Sequence, residues 1–315
     1  MIVVVTPNPA VDVTYRVEEQ RTGRTQRVLD VARRPGGKGV NVARVLHAAG
    51  VPCRCVLPLG GPSGAWLAAA LDVPATTVAL SGPTRTTVTV VDDLTHPTVL
   101  AEPGPAVTAA EWDALTAAAG TADADALVVS GSLPPGADPA GVGRLIAART
   151  GLTVADVPGP ALLAAAGAGA DVCKPNREEL LAATGAASEA DGAADLLARG
   201  AGAVVVSRGE DGLAAYTGGA VLTVPAVPGV RGNPTGAGDA ATAGLVLALT
   251  RGLALEDALR CAAAFGAAAV LRPTAGEVDH RALTRFLDDL PLDLPLDLPL
   301  DLPLDLPLDP TRSPA

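Results

Sequence analysis

Aromatic residues are scarce in this sequence, and basic residues are outnumbered. Only six of the 315 residues are aromatic, which leaves no platform for stacking nucleic-acid bases. The 34 acidic residues exceed the 23 basic ones, so the net charge is −11; nucleic acids and anionic membranes require a basic surface instead. No uninterrupted apolar run reaches the roughly 18 residues that cross a bilayer, and no signal peptide precedes the first strand-like run. We expect a cytoplasmic protein with no nucleic-acid or membrane partner.

Cysteine is also rare. The four cysteines are too few and too scattered for a disulfide framework in a chain of this length, and the three histidines stand apart from them. We therefore expect reduced structural thiols and not a thiolate metal site. A hydrophobic content of 49% with 18% charged residues is compatible with a sizeable core and excludes global disorder.

Lysine and asparagine occupy informative positions. The chain has 21 arginines but only two lysines, Lys38 and Lys174. These lysines and all four asparagines lie in segments flanked by glycine or proline. A compact ammonium group is not interchangeable with a planar guanidinium, so we regard the six positions as candidates for chemistry. The asparagines are Asn8, Asn41, Asn176 and Asn233.

Valine-rich runs alternate with Ala/Leu-rich stretches from about residue 120 onward. This pattern predicts an α/β fold with a mostly parallel sheet and helices on both faces, whose ligands bind beyond the carboxyl ends of the strands. Segments at about 11–34 and 84–101 are β-rich without intervening helices, and they predict a small sheet that stands off as a lid. The predicted strands are 2–5, 87–91, 126–129, 153–155 and 203–207. The predicted helices are 40–49, 139–149, 177–184, 190–199, 237–250 and 255–271.

A repeat of Asp-Leu-Pro-Leu begins at residue 289 and runs almost to the C-terminus. Proline at every fourth position removes backbone donors that a helix or a central strand needs, and the acidic charge at the same period opposes collapse. We predict that residues 288–315 form an extended, disordered tail without a catalytic role.

The segment RGNPTGAGD at residues 231–239 leads directly into a helix of small residues. Backbone N–H groups at such a helix N-terminus can converge on an anion. Asp239 would repel that anion, but it could serve as a general base that takes a proton from an attacking hydroxyl. A glycine-rich turn with an acid placed favourably in the helix dipole explains this segment equally well.

Two more segments combine glycine or proline with a lysine and an asparagine. In PGGKGVNVAR (residues 35–44), Lys38 and Asn41 follow a glycine loop that has neither P-loop nor Rossmann spacing. In CKPNREE (residues 173–179), Asn176 and Glu179 could hold Mg²⁺ through water while Lys174 meets a phosphate. Asn176 and Glu179 could equally form a helix capping box, and the segment alone leaves both readings open.

Together these segments resemble the ribokinase-like carbohydrate kinases of the PfkB family. PGGKGVNVARVL is similar to the family's N-terminal signature and NPTGAGDAATAG to its C-terminal one. TPNPAVDVT, SGSLPPG, KPNREEL and VVVSRGEDG resemble the branch that includes 1-phosphofructokinase and tagatose-6-phosphate kinase. The resemblance covers residues 1 to about 287 and implies one three-layer α/β/α domain with a small β-sheet lid, and we expect a homodimer formed through that lid.

The resemblance also implies ATP and Mg²⁺ as cofactors, a sugar phosphate as substrate, and a role for each matched residue. It implies that Asp239 is the catalytic base, beside an anion hole at Gly236, Ala237 and Gly238. The residues matched to ATP are Lys174, Asn176, Glu179, Ser207, Gly209 and Thr235, with Asn176 and Glu179 linked to Mg²⁺ through water. The residues matched to the sugar phosphate are Asp12, Arg27, Gly36, Gly37, Lys38, Asn41, Arg85 and Ser132, of which Arg27, Arg85 and Ser132 match positions that bind its phosphorylated end.

Substrate identity rests on weaker features than reaction type. We expect phosphorylation of fructose 1-phosphate to fructose 1,6-bisphosphate, with tagatose-6-phosphate kinase or 6-phosphofructokinase as alternatives. Asn233-Pro234 resembles the tagatose-6-phosphate kinases more, and Asp156-Val-Pro-Gly departs from the usual Asp-Thr-Ser-Gly. A non-catalytic sugar sensor is a further alternative, although the intact Asp239 argues against it. A dinucleotide oxidoreductase would need a glycine fingerprint after the first strand, which is missing.

Overall fold

The structure is a computed structural model that describes residues 1–92, 97–120 and 124–290. The predicted tail lies outside the described residues from 291 onward. Its first three residues differ from the prediction: the last helix runs to Asp288, and Leu290 packs against the hydrophobic core. The part of the chain that belongs to the folded domain therefore extends slightly further than the repeat pattern indicated.

Strands and helices are numbered in chain order. The strands are β1 (Ile2–Val5), β2 (Ala10–Arg16), β3 (Asp30–Gly36), β4 (Cys53–Leu59), β5 (Ala75–Ala79), β6 (Arg85–Val91), β7 (Thr98–Ala101), β8 (Ala126–Ser130), β9 (Leu152–Asp156), β10 (Val172–Cys173), β11 (Ala203–Ser207), β12 (Leu213–Tyr216) and β13 (Val221–Val224). The helices are α1 (Lys38–Ala48), α2 (Gly61–Ala70), α3 (Ala109–Gly120), α4 (Ala140–Ala147), α5 (Pro160–Gly167), α6 (Arg177–Thr184), α7 (Glu189–Arg199), α8 (Ala237–Thr250), α9 (Leu255–Val270) and α10 (His280–Asp288).

Nine of the described strands form the main sheet, in the order β13-β12-β11-β10-β9-β8-β1-β4-β5. Its strands are parallel except at β12, which pairs antiparallel with β11 and β13. Strand β1 is buried on both faces and consists of Ile and Val, as expected for a central strand of a parallel sheet. Helices cover both faces, and two clusters of buried apolar side chains fill the layers between them and the sheet. The predicted α/β/α architecture is confirmed.

The lid sheet is the second described sheet and consists of β3, β2, β6 and β7 in that order. It occupies the segments that we predicted for it, although residues 93–96 lie outside the described residues. Strand β2 pairs parallel with β6, and the other two pairs are antiparallel. Apolar side chains stand exposed on this sheet and on the segment that leads into it, namely Val28, Leu29, Val31, Val99 and Leu100.

Helices α8 and α9 pack closely against each other because small residues line their contact. A Cβ atom at Gly244 of α8 would lie 2.8 Å from the ring of Phe265 on α9, and Phe265 is fully buried. This packing fixes the start of α8 at the carboxyl edge of the main sheet. None of the helices in the described ranges is both long and apolar enough to span a bilayer.

Candidate active site

A cleft of about 370 Å³ opens between the carboxyl ends of the main-sheet strands and the lid sheet. Strands β9, β10 and β11 end at its floor, and β2 and β6 of the lid sheet form its opposite wall. The cleft is polar and contains both lysines of the chain. Its lining residues are Asp12, Gly37, Lys38, Asn41, Arg85, Asp156, Lys174, Asn176, Glu179, Ser207, Thr235, Gly236, Gly238, Asp239 and Ala275.

The N-terminus of α8 points into this cleft. Its cap, Gly236, has φ 83°, a left-handed conformation that favours glycine. A Cβ atom there would also lie 2.7 Å from the Cβ of Ala275, so only glycine fits. No hydrogen bond among the described residues uses the backbone N–H of Gly236, Gly238 or Asp239. These donors at the positive end of the helix dipole can bind an anion.

The backbone N–H of Ala237 is not free to bind an anion, although the sequence predicted Ala237 as part of the anion hole. Its backbone N–H donates to the carbonyl oxygen of Pro234 at 3.1 Å, because the turn before α8 closes a short hydrogen-bonded ring. That donor is therefore already engaged. The free N–H groups of this helix start come from its cap, Gly236, and from the two residues after Ala237.

Asp239 is buried at the bottom of the cleft, and its side chain is held in place by Asn41. The amide Nδ2 of Asn41 donates to Oδ2 of Asp239 at 2.8 Å. Burial raises the pKa of Asp239, and the nearby Asp156 carboxylate raises it further. The Asn41 hydrogen bond and the two lysines oppose this, and the resulting pKa is about 7. A carboxyl group with that pKa can accept and release a proton near neutral pH.

Asp156, at the end of β9, is a site residue that the sequence analysis did not assign. Its carboxylate lies 3.4 Å from Nζ of Lys174 and 3.7 Å from Nζ of Lys38, and it accepts a hydrogen bond of 2.9 Å from the hydroxyl of Thr242. Burial alone would raise its pKa, but Lys174 and Lys38 hold the pKa below its usual value. Asp156 therefore carries a negative charge between the two ammonium groups.

Lys38 joins the two halves of the cleft. Its Nζ donates to Oε1 of Glu179 at 2.9 Å and also faces Asp156. Burial works against the charged form, but the two carboxylates outweigh it and raise the pKa of Lys38 above its usual value. We predicted Lys38 as a sugar ligand, and its Nζ also contacts Glu179, which we predicted as an ATP ligand.

Asn176 and Glu179 form a helix capping box, one of the two arrangements that the sequence allowed. Oδ1 of Asn176 accepts from the N–H of Glu179 at 2.8 Å, and Oε2 of Glu179 accepts from the N–H of Asn176 at 3.0 Å. Both side chains nevertheless line the cleft. No group of three or more His, Cys, Asp or Glu residues within the described residues is arranged to hold a metal.

The lid wall of the cleft carries Asp12 and Arg85. A Cβ atom at Gly36 would lie 2.0 Å from Oδ2 of Asp12, so Gly36 leaves the space that this carboxylate occupies. Burial raises the pKa of Asp12 to about 6, against the opposing charges of Arg85 and a second arginine. Arg85 is held by two backbone carbonyls, of Asn8 at 3.2 Å and Glu102 at 3.0 Å.

The sequence and the fold were compared with known proteins. The family model "pfkB family carbohydrate kinase" matches residues 4–281. The chain belongs to the pfkB family of carbohydrate kinases. This membership implies ATP as a substrate, and it confirms the resemblance seen in the sequence. It also confirms that the chain is a kinase and not an oxidoreductase.

Three solved structures are similar to this pfkB kinase over most of their length. The tetrameric inhibited form of phosphofructokinase-2 from Escherichia coli is 28% identical, with a TM-score of 0.83 over 90% of this chain and 97% of that one. A possible 1-phosphofructokinase from Thermotoga maritima is 25% identical, with a TM-score of 0.80 over 91% and 97%. A ribokinase from Thermotoga maritima, 21% identical with a TM-score of 0.73 over 92% and 99%, shows the ribokinase-like fold.

The curated relative is the ATP-dependent 6-phosphofructokinase isozyme 2 of Mycobacterium tuberculosis. It is 39% identical over 145 residues, which span 43% of this chain and 42% of the relative. The chain thus matches less than half the length of that protein.

Most residues that we assigned to ligands from the sequence meet in the cleft of this pfkB kinase, and five do not line it. Arg27 is exposed on the segment before β3. Ser132 accepts a hydrogen bond from Asn8 at 3.3 Å, and Gly209 begins a short 3₁₀ turn. Gly36 lies behind Asp12, and Ala237 is the residue with the engaged N–H. The cleft adds Ala275, for which the sequence carried no recognisable motif, and Asp156, which the sequence analysis noted only as the start of a departure from the usual Asp-Thr-Ser-Gly.

The raised pKa of Asp239 predicts a pH-dependent stability. Its pKa is 3.8 without the folded environment and about 7 with it, so the folded state binds the proton more tightly. The free energy of unfolding should therefore fall as pH rises from about 4 to about 7, by up to about 1.4 kcal/mol per pH unit. Denaturant unfolding at several pH values should show this fall for the wild type relative to Asp239→Asn. A difference between the two proteins that does not change with pH would contradict the assignment.

Proposed function

We propose that this pfkB kinase transfers the γ-phosphoryl group of ATP to a primary hydroxyl of a fructose phosphate and forms fructose 1,6-bisphosphate. The observation that carries the proposal is the position of Asp239. Its buried carboxyl group, with a pKa of about 7, lies beside free backbone N–H groups at the start of α8. A base and an anion site at the same point suit the transfer of a phosphoryl group to a hydroxyl.

Asp239 accepts the proton of the attacking hydroxyl in this proposal. Asn41 donates to one carboxylate oxygen, Oδ2, and thereby orients the carboxylate while Oδ1 remains for the hydroxyl. The pKa near 7 keeps a large share of the carboxylate deprotonated at neutral pH and still makes it basic enough to take the proton. The burial that raises the pKa also excludes water, which would otherwise compete as the acceptor of the phosphoryl group.

The developing negative charge on the phosphoryl group is stabilised by two kinds of donor, backbone N–H groups and lysine ammonium groups. The free N–H groups of Gly236 and Gly238 face the cleft at the positive end of the α8 dipole. Lys38 lies between the sugar-side and ATP-side residues, and Lys174 lies on the ATP side. Both ammonium groups are already oriented by Asp156, so they do not need to reorganise when charge develops.

The ATP side of the cleft consists of Lys174, Asn176, Glu179, Ser207 and Thr235. The polar atoms of Asn176 and Glu179 that would face Mg²⁺ are engaged in the capping box and with Lys38. They fit an ion that is held mainly by the phosphates and its own water shell, which is the usual habit of Mg²⁺ in nucleotide sites. When bound, that ion neutralises phosphate charge.

The sugar side of the cleft fits a substrate that carries its own phosphate. Arg85 provides a guanidinium at the lid wall, and Asp12 beside it can accept hydrogen bonds from sugar hydroxyls. Fructose 1-phosphate and fructose 6-phosphate each have a phosphate at one end and a primary hydroxyl at the other, so both can yield the same bisphosphate. A structure of Escherichia coli phosphofructokinase-2 in complex with fructose-6-phosphate and the name of the Mycobacterium tuberculosis relative favour fructose 6-phosphate; the sequence signatures favour fructose 1-phosphate.

The lid sheet provides the surface for the homodimer that we expected from the sequence. Leu29, Val31, Val99 and Leu100 are each roughly half exposed there, and apolar side chains at the edge strands of an open sheet favour pairing with another copy. The Escherichia coli relative is described as tetrameric in its inhibited form. Burial of both lid sheets in a dimer would also restrain the wall that carries Asp12 and Arg85.

The experiment that tests this function measures ADP release with MgATP and a panel of acceptors: fructose 1-phosphate, fructose 6-phosphate, tagatose 6-phosphate and free fructose. We expect kcat/KM for one fructose phosphate to exceed that for free fructose by at least about a hundredfold, from charged hydrogen bonds to the phosphate. Equal activity on free fructose, or activity on tagatose 6-phosphate alone, would overturn the proposal. Product identity is checked by conversion of the product with fructose-bisphosphate aldolase.

Asp239→Asn should abolish nearly all turnover and leave ATP affinity nearly unchanged. The amide keeps the size and the hydrogen-bonding shape of the side chain but cannot take a proton, and loss of a general base costs about 10²–10⁴-fold. Turnover in the ADP-release assay and ATP affinity by calorimetry separate the two effects. Activity within a few-fold of the wild type would remove Asp239 from the mechanism.

Arg85→Ala should raise KM for the fructose phosphate by roughly ten- to a hundredfold while KM for ATP stays the same, because a hydrogen-bonded charge pair with phosphate is lost. Free fructose should be used as poorly as before, so the preference for the phosphorylated sugar narrows. Arg33→Ala, which removes an exposed arginine on strand β3 of the same sheet, is the matched control and should leave both constants unchanged. Equal losses with the phosphorylated and the free sugar would place Arg85 outside the phosphate site.

A further inference from the structure

Two strand ends form the ATP side of the cleft and lie directly against each other. Asn176 follows β10, Ser207 ends β11, and the two residues are joined by an isolated parallel bridge. The N–H of Ser207 donates to the carbonyl oxygen of Pro175 at 3.1 Å. The parallel pairing of β10 with β11 and this bridge bring the two segments together at the mouth of the cleft, and side-chain contacts of the residues that follow them add a further tie.

Each of these cleft residues is followed by an arginine, and both arginines bind the same carboxylate. Nε of Arg177 donates to Glu189 at 2.8 Å. Arg208 donates to Glu189 through Nε at 2.9 Å and through Nη2 at 2.5 Å. Two parallel N–H donors on one carboxylate hold a guanidinium in a defined orientation. Glu189 therefore ties the residue after Asn176 to the residue after Ser207.

Glu189 is well placed for such a role because its surroundings are rigid. It is the first residue of α7, whose N-cap Ser188 accepts a hydrogen bond from the N–H of Asp191. The Glu189 side chain is only 9% exposed, whereas that of Arg177 is 52% exposed. The hydroxyl of Tyr216, on the adjacent strand β12, donates to the same carboxylate at 2.9 Å. A shielded carboxylate with three partners is a stronger constraint than an isolated surface ion pair.

We propose that Glu189 is a positioning residue for ATP: through Arg208 and Arg177 it holds the Ser207 and Asn176 segments at the spacing that the nucleotide occupies. The inference rests on the proposed function, because it takes these two segments as the nucleotide side of the cleft. Glu189 does not line the cleft itself, so it acts through the two arginines and their backbone neighbours. Among the described residues, the hydrogen bonds and ion pairs of the Glu189 side chain go to Arg177, Arg208 and Tyr216 and not to a sugar-side residue, so its effect should be confined to ATP.

The test measures both Michaelis constants of Glu189→Gln, which keeps the shape but removes the charge. We expect KM for ATP to rise by about ten- to a hundredfold, the loss expected from charge-assisted hydrogen bonds, while KM for the sugar phosphate and the melting temperature change little. Asp195→Asn is the matched control, since it removes a carboxylate that binds Arg199 at 2.8 Å on the same helix. This control should leave both constants unchanged.

A double-mutant comparison shows whether Glu189 acts through Arg208. Glu189→Gln combined with Arg208→Met should raise KM for ATP by clearly less than the product of the two single effects, because Arg208→Met already removes one of the two arginines that Glu189 holds. Glu189→Asp, which keeps the charge with a shorter reach, should have an intermediate KM for ATP. Additive effects of the two substitutions would overturn the route through Arg208.

The outcomes separate this inference from the proposed function. Affinity for a non-hydrolysable ATP analogue, measured by calorimetry, tests Glu189 even if the sugar acceptor is not the one proposed. Unchanged or tighter binding of the analogue by Glu189→Gln would overturn the inference, as would equal rises in both Michaelis constants, which indicate general loss of structure. Absence of kinase activity in the wild type, with the analogue still bound more weakly by Glu189→Gln, would count against the proposed function alone.

Discussion

A carboxylate can remain charged inside a protein only if cations or hydrogen-bond donors surround it. In this pfkB kinase, Asp156 meets that condition between Lys174 and Lys38. Burial raises the pKa of Asp239 deeper in the cleft, and the negative charge of Asp156 raises it further; the resulting pKa is about 7. The same two lysines that keep Asp156 ionised are available to a phosphate. One group of buried charges thus sets both the strength of the base and the electrostatics of the phosphoryl site.

The fold supplies this arrangement because parallel strands end at a common edge. Asp156 ends β9 and Lys174 follows β10, so their separation is fixed by the spacing of neighbouring strands. Lys38 begins α1 and Asp239 lies in the first turn of α8, and the two helices pack against each other beneath the cleft. The lid sheet adds Asp12 and Arg85 to the opposite wall of the cleft.

Features of the site that follow from local residue patterns could be predicted from the sequence. Features that follow from the order and pairing of the strands could not. The scarcity of lysine marked Lys38 and Lys174 correctly as cleft residues. Asp156 was noted only as the start of a departure from the usual Asp-Thr-Ser-Gly and was given no role, because its place between the two lysines depends on the strand order. Strand β4 was missed because Pro58 argues against a central strand; Pro58 is tolerated because pairing with β1 ends at Val56.

Some features of the site could not be predicted because they depend on which hydrogen bonds the folded chain forms. The glycines of residues 236–238 predicted a helix start that binds anions, but no residue pattern could indicate that the N–H of Ala237 is consumed by the preceding turn. The capping box at Asn176 and Glu179 was foreseen as an alternative, and the structure contains it. Glu189 was not foreseen at all, since its two arginines are separated from it by 12 and 19 residues in the chain.

The most direct measurement of this account is the pH dependence of kcat/KM in the wild type and in Asp156→Asn, with the same fructose phosphate. The acid limb of kcat/KM reports the pKa of the base in the free enzyme. We predict a limb near pH 7 for the wild type, the pKa expected for Asp239. In Asp156→Asn the limb should move to lower pH, because one negative charge is removed and both lysines then act on Asp239 alone. A limb that stays at the same pH in both enzymes would contradict the claim that Asp156 sets the strength of the base.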